Sequence, residues 1–123
     1  MIEYKIGNLL DSSAEALINT VNTDGIMGKG IALQFKNQFP NNFKEYVKAC
    51  KSNNISIGKL FVYEECTLLK EKKIIINFPT KTSWKKPSEY SYIEEGLKDL
   101  VNIIKHKNIK SIAIPPLGAG KEV

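Results

Sequence analysis

The chain has 123 residues, 42% of them hydrophobic, enough for one buried core, so residues 1–123 are expected to form a single domain. All eighteen basic residues are lysine and the net charge is +5; such a surplus favours anionic partners, although it is also ordinary on surfaces with no such role, and the absence of arginine argues against a sequence-specific duplex reader. Two separated cysteines (Cys50, Cys66), a single histidine (His106) and no apolar run near the roughly 18 residues of a membrane span argue against a disulfide framework, a zinc knuckle, Ser-His-Asp chemistry and a spanning helix, and leave a cytoplasmic protein as the expectation.

A first strand is expected over residues 4–10, ending in the polar turn Asp11-Ser12-Ser13. Residues 17–22, Leu-Ile-Asn-Thr-Val-Asn, read as a buried strand in which Asn19 and Asn22 are out of place; polar side chains at a strand's C-terminal end are where α/β sheets hold ligands. After the glycines at 25, 28 and 30, Ile31, Phe35 and Phe39 recur every four residues as the stripe of a helix that stops before Pro40. Asn41 or Asn42 then caps a second helix, with Phe43, Tyr46, Val47 and Cys50 on its core face. Strand residues 59–63 continue, or turn, through 64–69, and the K-E-K-K run at 70–73 reads as a solvated turn. Residues 73–78, with Ile74-Ile75-Ile76, are the clearest buried strand. The segment 77–87 is polar and basic around Trp84, a loop of site-like composition. Residues 88–107 predict a long helix capped by Ser88, with Tyr92, Ile93, Leu97, Leu100, Val101 and Ile104 inward and His106 solvated near its end. A last strand at 111–114 runs into a second glycine-bearing turn, Pro115 to Gly120. This order, β, β, α, α, β, β, α, β, is that of an α/β domain whose strand ends meet at one edge.

A strand, a glycine turn and a helix start in direct succession make an anion cradle, because backbone N–H groups approach closely where no Cβ intervenes and the helix adds its partial positive end. Both glycine turns follow strands, so both can present such donors.

Taken together, I-N-T-V-N-T-D-G-I-M-G-K-G-I-A-L-Q-F at 18–35, I-N-F-P-T-K at 76–81 and I-A-I-P-P-L-G-A-G at 112–120 resemble a macrodomain. The resemblance is above all to the DarG-type antitoxin macrodomains paired with DNA-modifying ADP-ribosyltransferase toxins, and more distantly to the terminal ADP-ribose protein glycohydrolases. It implies a three-layer α/β/α fold with a mixed central sheet, an ADP-ribose cleft at the strand ends, and neither cofactor nor metal. By the same resemblance, Gly25, Ile26, Met27, Gly28, Lys29 and Gly30 cradle the diphosphate, and Pro116, Leu117, Gly118, Ala119 and Gly120 close over the phosphates and distal ribose. Asn22 then faces the distal ribose, Thr80 is a further ligand contact, and Asn8 with Leu9 lies at the adenine, where Asn8 replaces the family's usual aspartate and accepts the amino group through its amide oxygen.

Lys81 aligns with the lysine that such glycohydrolases use on C1 of the distal ribose. A lysine attacks only as the neutral amine, a state favoured by burial or by cationic neighbours such as Lys85 and Lys86; on composition alone Lys81 is one surface lysine among eighteen. Trp84 either stacks on a base or covers the loop. The function implied is an ADP-ribosyl hydrolase acting on thymidine in DNA or on acidic protein side chains, the alternatives being an ADP-ribose-binding module without catalysis or an inactive remnant. The partners implied are ADP-ribose or an ADP-ribosylated substrate, single-stranded DNA and a cognate toxin, with no membrane and a monomeric state. Because the chain stops at Lys121-Glu122-Val123, before the family's last helix and strand, the domain is expected to be incomplete at its C-terminus, with Glu122 near the place of an acidic catalytic partner.

Overall fold

A 3-10 turn (Leu9–Asp11) leads into β1 (Ala16–Asn22), α1 (Gly30–Gln38), α2 (Pro40–Lys51), β2 (Phe61–Cys66), β3 (Lys72–Lys81), α3 (Tyr90–Lys107) and β4 (Ile112–Ala113) in the computed structural model, which describes residues 9–28, 30–66, 71–83, 85–115 and 117. The strands form one sheet in the order β2-β3-β1-β4. β1 pairs in parallel with β3 and β4, and β2 pairs antiparallel with β3, so the sheet is mixed.

The period-2 alternation of β1 and β3 divides the core into two layers. Leu17, Val21 and Ile75 face α1 and α2, joining Phe35, Phe39, Tyr46 and Ala49. Ala16, Ile18, Ile74, Ile76 and Phe78 face the other way, against Leu100 of α3 and Ile109. Helices on both faces explain why the two central strands are buried along most of their length, with the apolar runs Ala16 to Ile18 and Ile74 to Ile76. The result is the expected α/β/α sandwich.

The fit on the α3 side depends on a glycine. A Cβ added at Gly96 would lie 2.3 Å from Cζ and 2.5 Å from Cε1 of the fully buried Phe78. G96A is therefore expected to lower stability by about 1–3 kcal/mol in urea or thermal unfolding, because overpacking outweighs the roughly 1 kcal/mol gain in helix propensity. A variant as stable as the parent would mean that α3 sits elsewhere.

Several expectations are corrected. The strand foreseen at 4–10 lies outside the described residues except at its end, where Leu9 and Leu10 enter the 3-10 turn instead. Helix α2 starts at Pro40, whose fixed φ suits a first helical position, and neither Asn41 nor Asn42 caps it with its side chain. Their backbone N–H groups donate instead to the Glu65 carboxylate of β2, at 3.3 and 2.7 Å, so an acidic group from a neighbouring strand serves the positive helix end. Ser88 is not a cap either, since α3 begins at Tyr90 with Glu89 before it in extended conformation. On α3, Leu97 and Val101 are 40% and 48% exposed, because the helix seats through Gly96 and Leu100 with Ile93, Ile103 and Ile104 alongside. Lys73 is buried within β3 rather than solvated, and its ammonium donates to the carbonyls of Ser12 (3.0 Å) and Ala14 (2.7 Å).

Strand β3 also runs three residues beyond its expected end, through Pro79 to Lys81. A proline there is tolerated for a reason visible in the ladder. Ile74 donates its N–H to Glu15 on the β1 side, so even-numbered residues point that way and the donor missing at Pro79 would face β2. β2 begins only at Phe61, opposite Asn77, so no ladder bond is lost at Pro79.

Candidate functional site

β1, β3 and β4 are parallel, so their C-terminal ends lie on one edge of the sheet. From β1 the chain crosses over the α1 and α2 face, and from neighbouring β3 it crosses over the α3 face. Adjacent parallel strands whose connections diverge in this way leave a crevice beyond their C-terminal ends, the usual ligand position in open α/β sheets. Here those ends are Asn22 and Lys81, which face each other after a register shift between Val21 and Asn22. The first glycine turn and the lysine of I-N-F-P-T-K thus leave the sheet side by side. Just beyond, Thr23 Oγ1 donates to the carbonyl of Thr82 at 2.7 Å.

The glycine turn is built by the side chain of Asn22. Its Oδ1 accepts the N–H groups of Asp24 (3.0 Å) and Ile26 (3.4 Å), and its Nδ2 donates to the carbonyl of Ile26 (3.0 Å). Below stands Tyr46 of α2, fully buried, whose hydroxyl lies 2.8 Å from the Asn22 carbonyl and 3.0 Å from Asn22 Oδ1. Burial drives the ionisation of that hydroxyl far above the usual tyrosine range, so it remains a neutral donor. Cys50, one helical turn on, packs under Gly25, and burial pushes its thiol up as well. Gly25 has φ +85°, a conformation that strains any residue with a side chain.

Around this frame the expected contacts separate. Ile26, Gly28 and Gly30 are exposed, whereas Met27 is buried in the core with its Sδ 3.7 Å from Asn19 Nδ2. Thr80 is buried, and Lys81 is half-buried at the last position of β3. The side chains of Leu9 and Leu117 pack against the two core layers. Asn8, Lys29, Trp84, Pro116, Gly118, Ala119, Gly120 and Glu122 lie outside the described residues. Among the described residues, no three His, Cys, Asp or Glu side chains could hold a metal together, and no helix is long and apolar enough to cross a membrane.

Asn19, flagged with Asn22 as a polar intruder, has a different role. It is fully buried beside Asn77, its Nδ2 3.5 Å from Asn77 Oδ1, and Asn77 exchanges bonds of 2.9 and 3.3 Å with the side chain of Asn42. Asn77 also donates to the Phe61 carbonyl at 3.1 Å. This buried network ties β1, β3, β2 and α2 together behind the crevice. Sequence reasoning missed the network, along with Thr23 and the hydroxyl of Tyr46; its signals were the out-of-place Asn19 and an asparagine directly after three isoleucines.

An α/β/α sandwich with a glycine turn and a lysine meeting at a topological switch point is thus the class that fold and site define. The chain belongs to the Macro domain family, whose profile matches residues 18–122. It is 54% identical over 120 residues to a Thermus aquaticus protein named DNA ADP-ribosyl glycohydrolase, covering 98% of this chain and 33% of that protein. The chain therefore spans about a third of the length of the curated relatives it matches. Among solved structures it resembles the macrodomain of Mycobacterium tuberculosis DarG, with a TM-score of 0.92 and 53% identity over 98% of this chain and 78% of that one. It also resembles Thermosipho africanus DarTG in complex with ADP-ribose, with a TM-score of 0.85 and 37% identity over 93% of this chain and 32% of that one.

Proposed function

We propose that this chain binds ADP-ribose at the ends of β1 and β3 and hydrolyses its bond to DNA, with Lys81 as the catalytic residue and thymidine-linked ADP-ribose as the substrate. The observation that carries this reading is the parallel pairing of Asn22 with Lys81, which joins an anion-binding turn to a nucleophile from a distant part of the chain. The glycohydrolase name of the Thermus relative and the ADP-ribose-bound Thermosipho structure support it.

The N–H groups of the turn that Asn22 does not take up, with those at the start of α1, hold the diphosphate, which directs the distal ribose toward Lys81. The Nζ lone pair forms a bond to C1 of that ribose as the bond from C1 to the base nitrogen breaks, and the base leaves with the electron pair and takes a proton. Water then displaces the lysine at C1, releasing ADP-ribose and restoring the amine. The lysine surplus suits single-stranded DNA as the carrier. A DNA ADP-ribosyltransferase would supply the modified strand, as the Thermosipho relative named as a transferase–glycohydrolase fusion suggests.

The test is incubation with a single-stranded oligonucleotide carrying ADP-ribose on thymidine. Free ADP-ribose and the unmodified strand are the expected products. Binding without release would leave a module that only holds ADP-ribose, and absence of both would overturn the reading entirely.

A further inference from the structure

The last backbone pairing between β1 and β3 is Asn22 with Lys81, and beyond it both chains leave the sheet. A bond between side chain and backbone continues the contact, from Thr23 Oγ1 to the Thr82 carbonyl at 2.7 Å, between residues 59 positions apart. Both residues are half-buried, so water competes weakly for the bond. The Thr82 carbonyl belongs to the residue directly after Lys81. Lys81 is thereby held on both sides, by the ladder at its own Cα and by Thr23 one residue further on. Such anchoring matters for lysine, whose flexible four-carbon stem aims well only from a fixed backbone.

We propose that Thr23 is a positioning residue: its hydroxyl, by gripping the Thr82 carbonyl, sets the direction in which Lys81 enters the crevice and couples the lysine to the glycine turn. This rests on the reading of Lys81 as nucleophile. The glycine turn itself is shaped by Asn22 and Tyr46, so loss of the Thr23 hydroxyl acts on the chemical step and spares ligand affinity.

The experiment compares the parent chain, T23V and T23S in ADP-ribose release from the modified oligonucleotide, alongside calorimetry with free ADP-ribose. T23V keeps the shape and loses the donor, so its kcat is expected to fall about 10- to 100-fold, the scale of a misaimed reacting group. The affinity of T23V for ADP-ribose should change by less than about threefold. T23S keeps the hydroxyl and should return kcat to near the parent value. T23A repeats the test if the valine variant does not melt cooperatively. Parent-like kcat in T23V, equal losses in T23V and T23S, or a fall in affinity that accounts for the whole effect would each overturn the proposal while the proposed function stands. An inactive parent chain would remove both.

Discussion

Replacing Lys81 with alanine is expected to reduce ADP-ribose release by at least about 100-fold, the scale on which losing a group that acts at the reacting centre slows an enzyme. Affinity for free ADP-ribose should change by less than about tenfold, because in the proposed function the diphosphate rests on the glycine turn and the start of α1 and not on Lys81. Lys81→Arg separates nucleophile from charge. Arginine keeps the positive charge but stays protonated and cannot attack, so it should be as inactive as alanine. An active arginine variant would show that position 81 only needs a cation, and the covalent step would have to be abandoned.

The second large effect is on stability. Asn77→Ala removes the centre of the buried network: it takes both partners from the buried Asn42 side chain and leaves Asn19 Nδ2 only its 3.7 Å contact with Met27 Sδ. Buried polar groups left without partners cost about 1–3 kcal/mol each when nothing relaxes. A loss of about 3 kcal/mol, on the order of 10 °C in Tm, is expected by calorimetry or circular dichroism. Both α2 and β2 lean on this residue, so the loss should be cooperative. A melt within about 1 kcal/mol of the parent would show that the network is not the tie between sheet and α2 described above.

What could be read in the sequence follows from how local each feature is. The buried strands were legible because Leu17, Ile18 and the isoleucines at 74–76 are apolar on both faces, and the start of α1 was legible from the glycines before Ile31. The end of β3 was not, because Pro79-Thr80-Lys81 has the composition of a loop, and only the late start of β2 makes a proline harmless there. Residue type correctly marks Asn41 and Asn42 as candidates for a helix start, but Glu65, more than twenty positions away, takes the capping role. The inner face of α3 was misjudged at Leu97 and Val101 because hydrophobic periodicity assigns no weight to Gly96, where the helix touches the sheet.

The same division holds at the site. The glycine turn and Lys81 were each visible as motifs, and the resemblance to macrodomains gave them roles. Their adjacency was not visible, since the register of two parallel strands far apart in the chain is fixed by the packing of both faces and not by either segment alone. Asn22 was expected at the distal ribose, and its side chain also makes three bonds that fold the turn.

The most direct measurement is a titration of the 15N-labelled chain with ADP-ribose, following each backbone amide. If the crevice between β1 and β3 is the binding site, the largest shifts will fall on residues 22–31 and 80–83, with the outer face of α3 unmoved. Shifts centred on α3 or on the β2 edge, or none at millimolar ligand, would contradict the site described here.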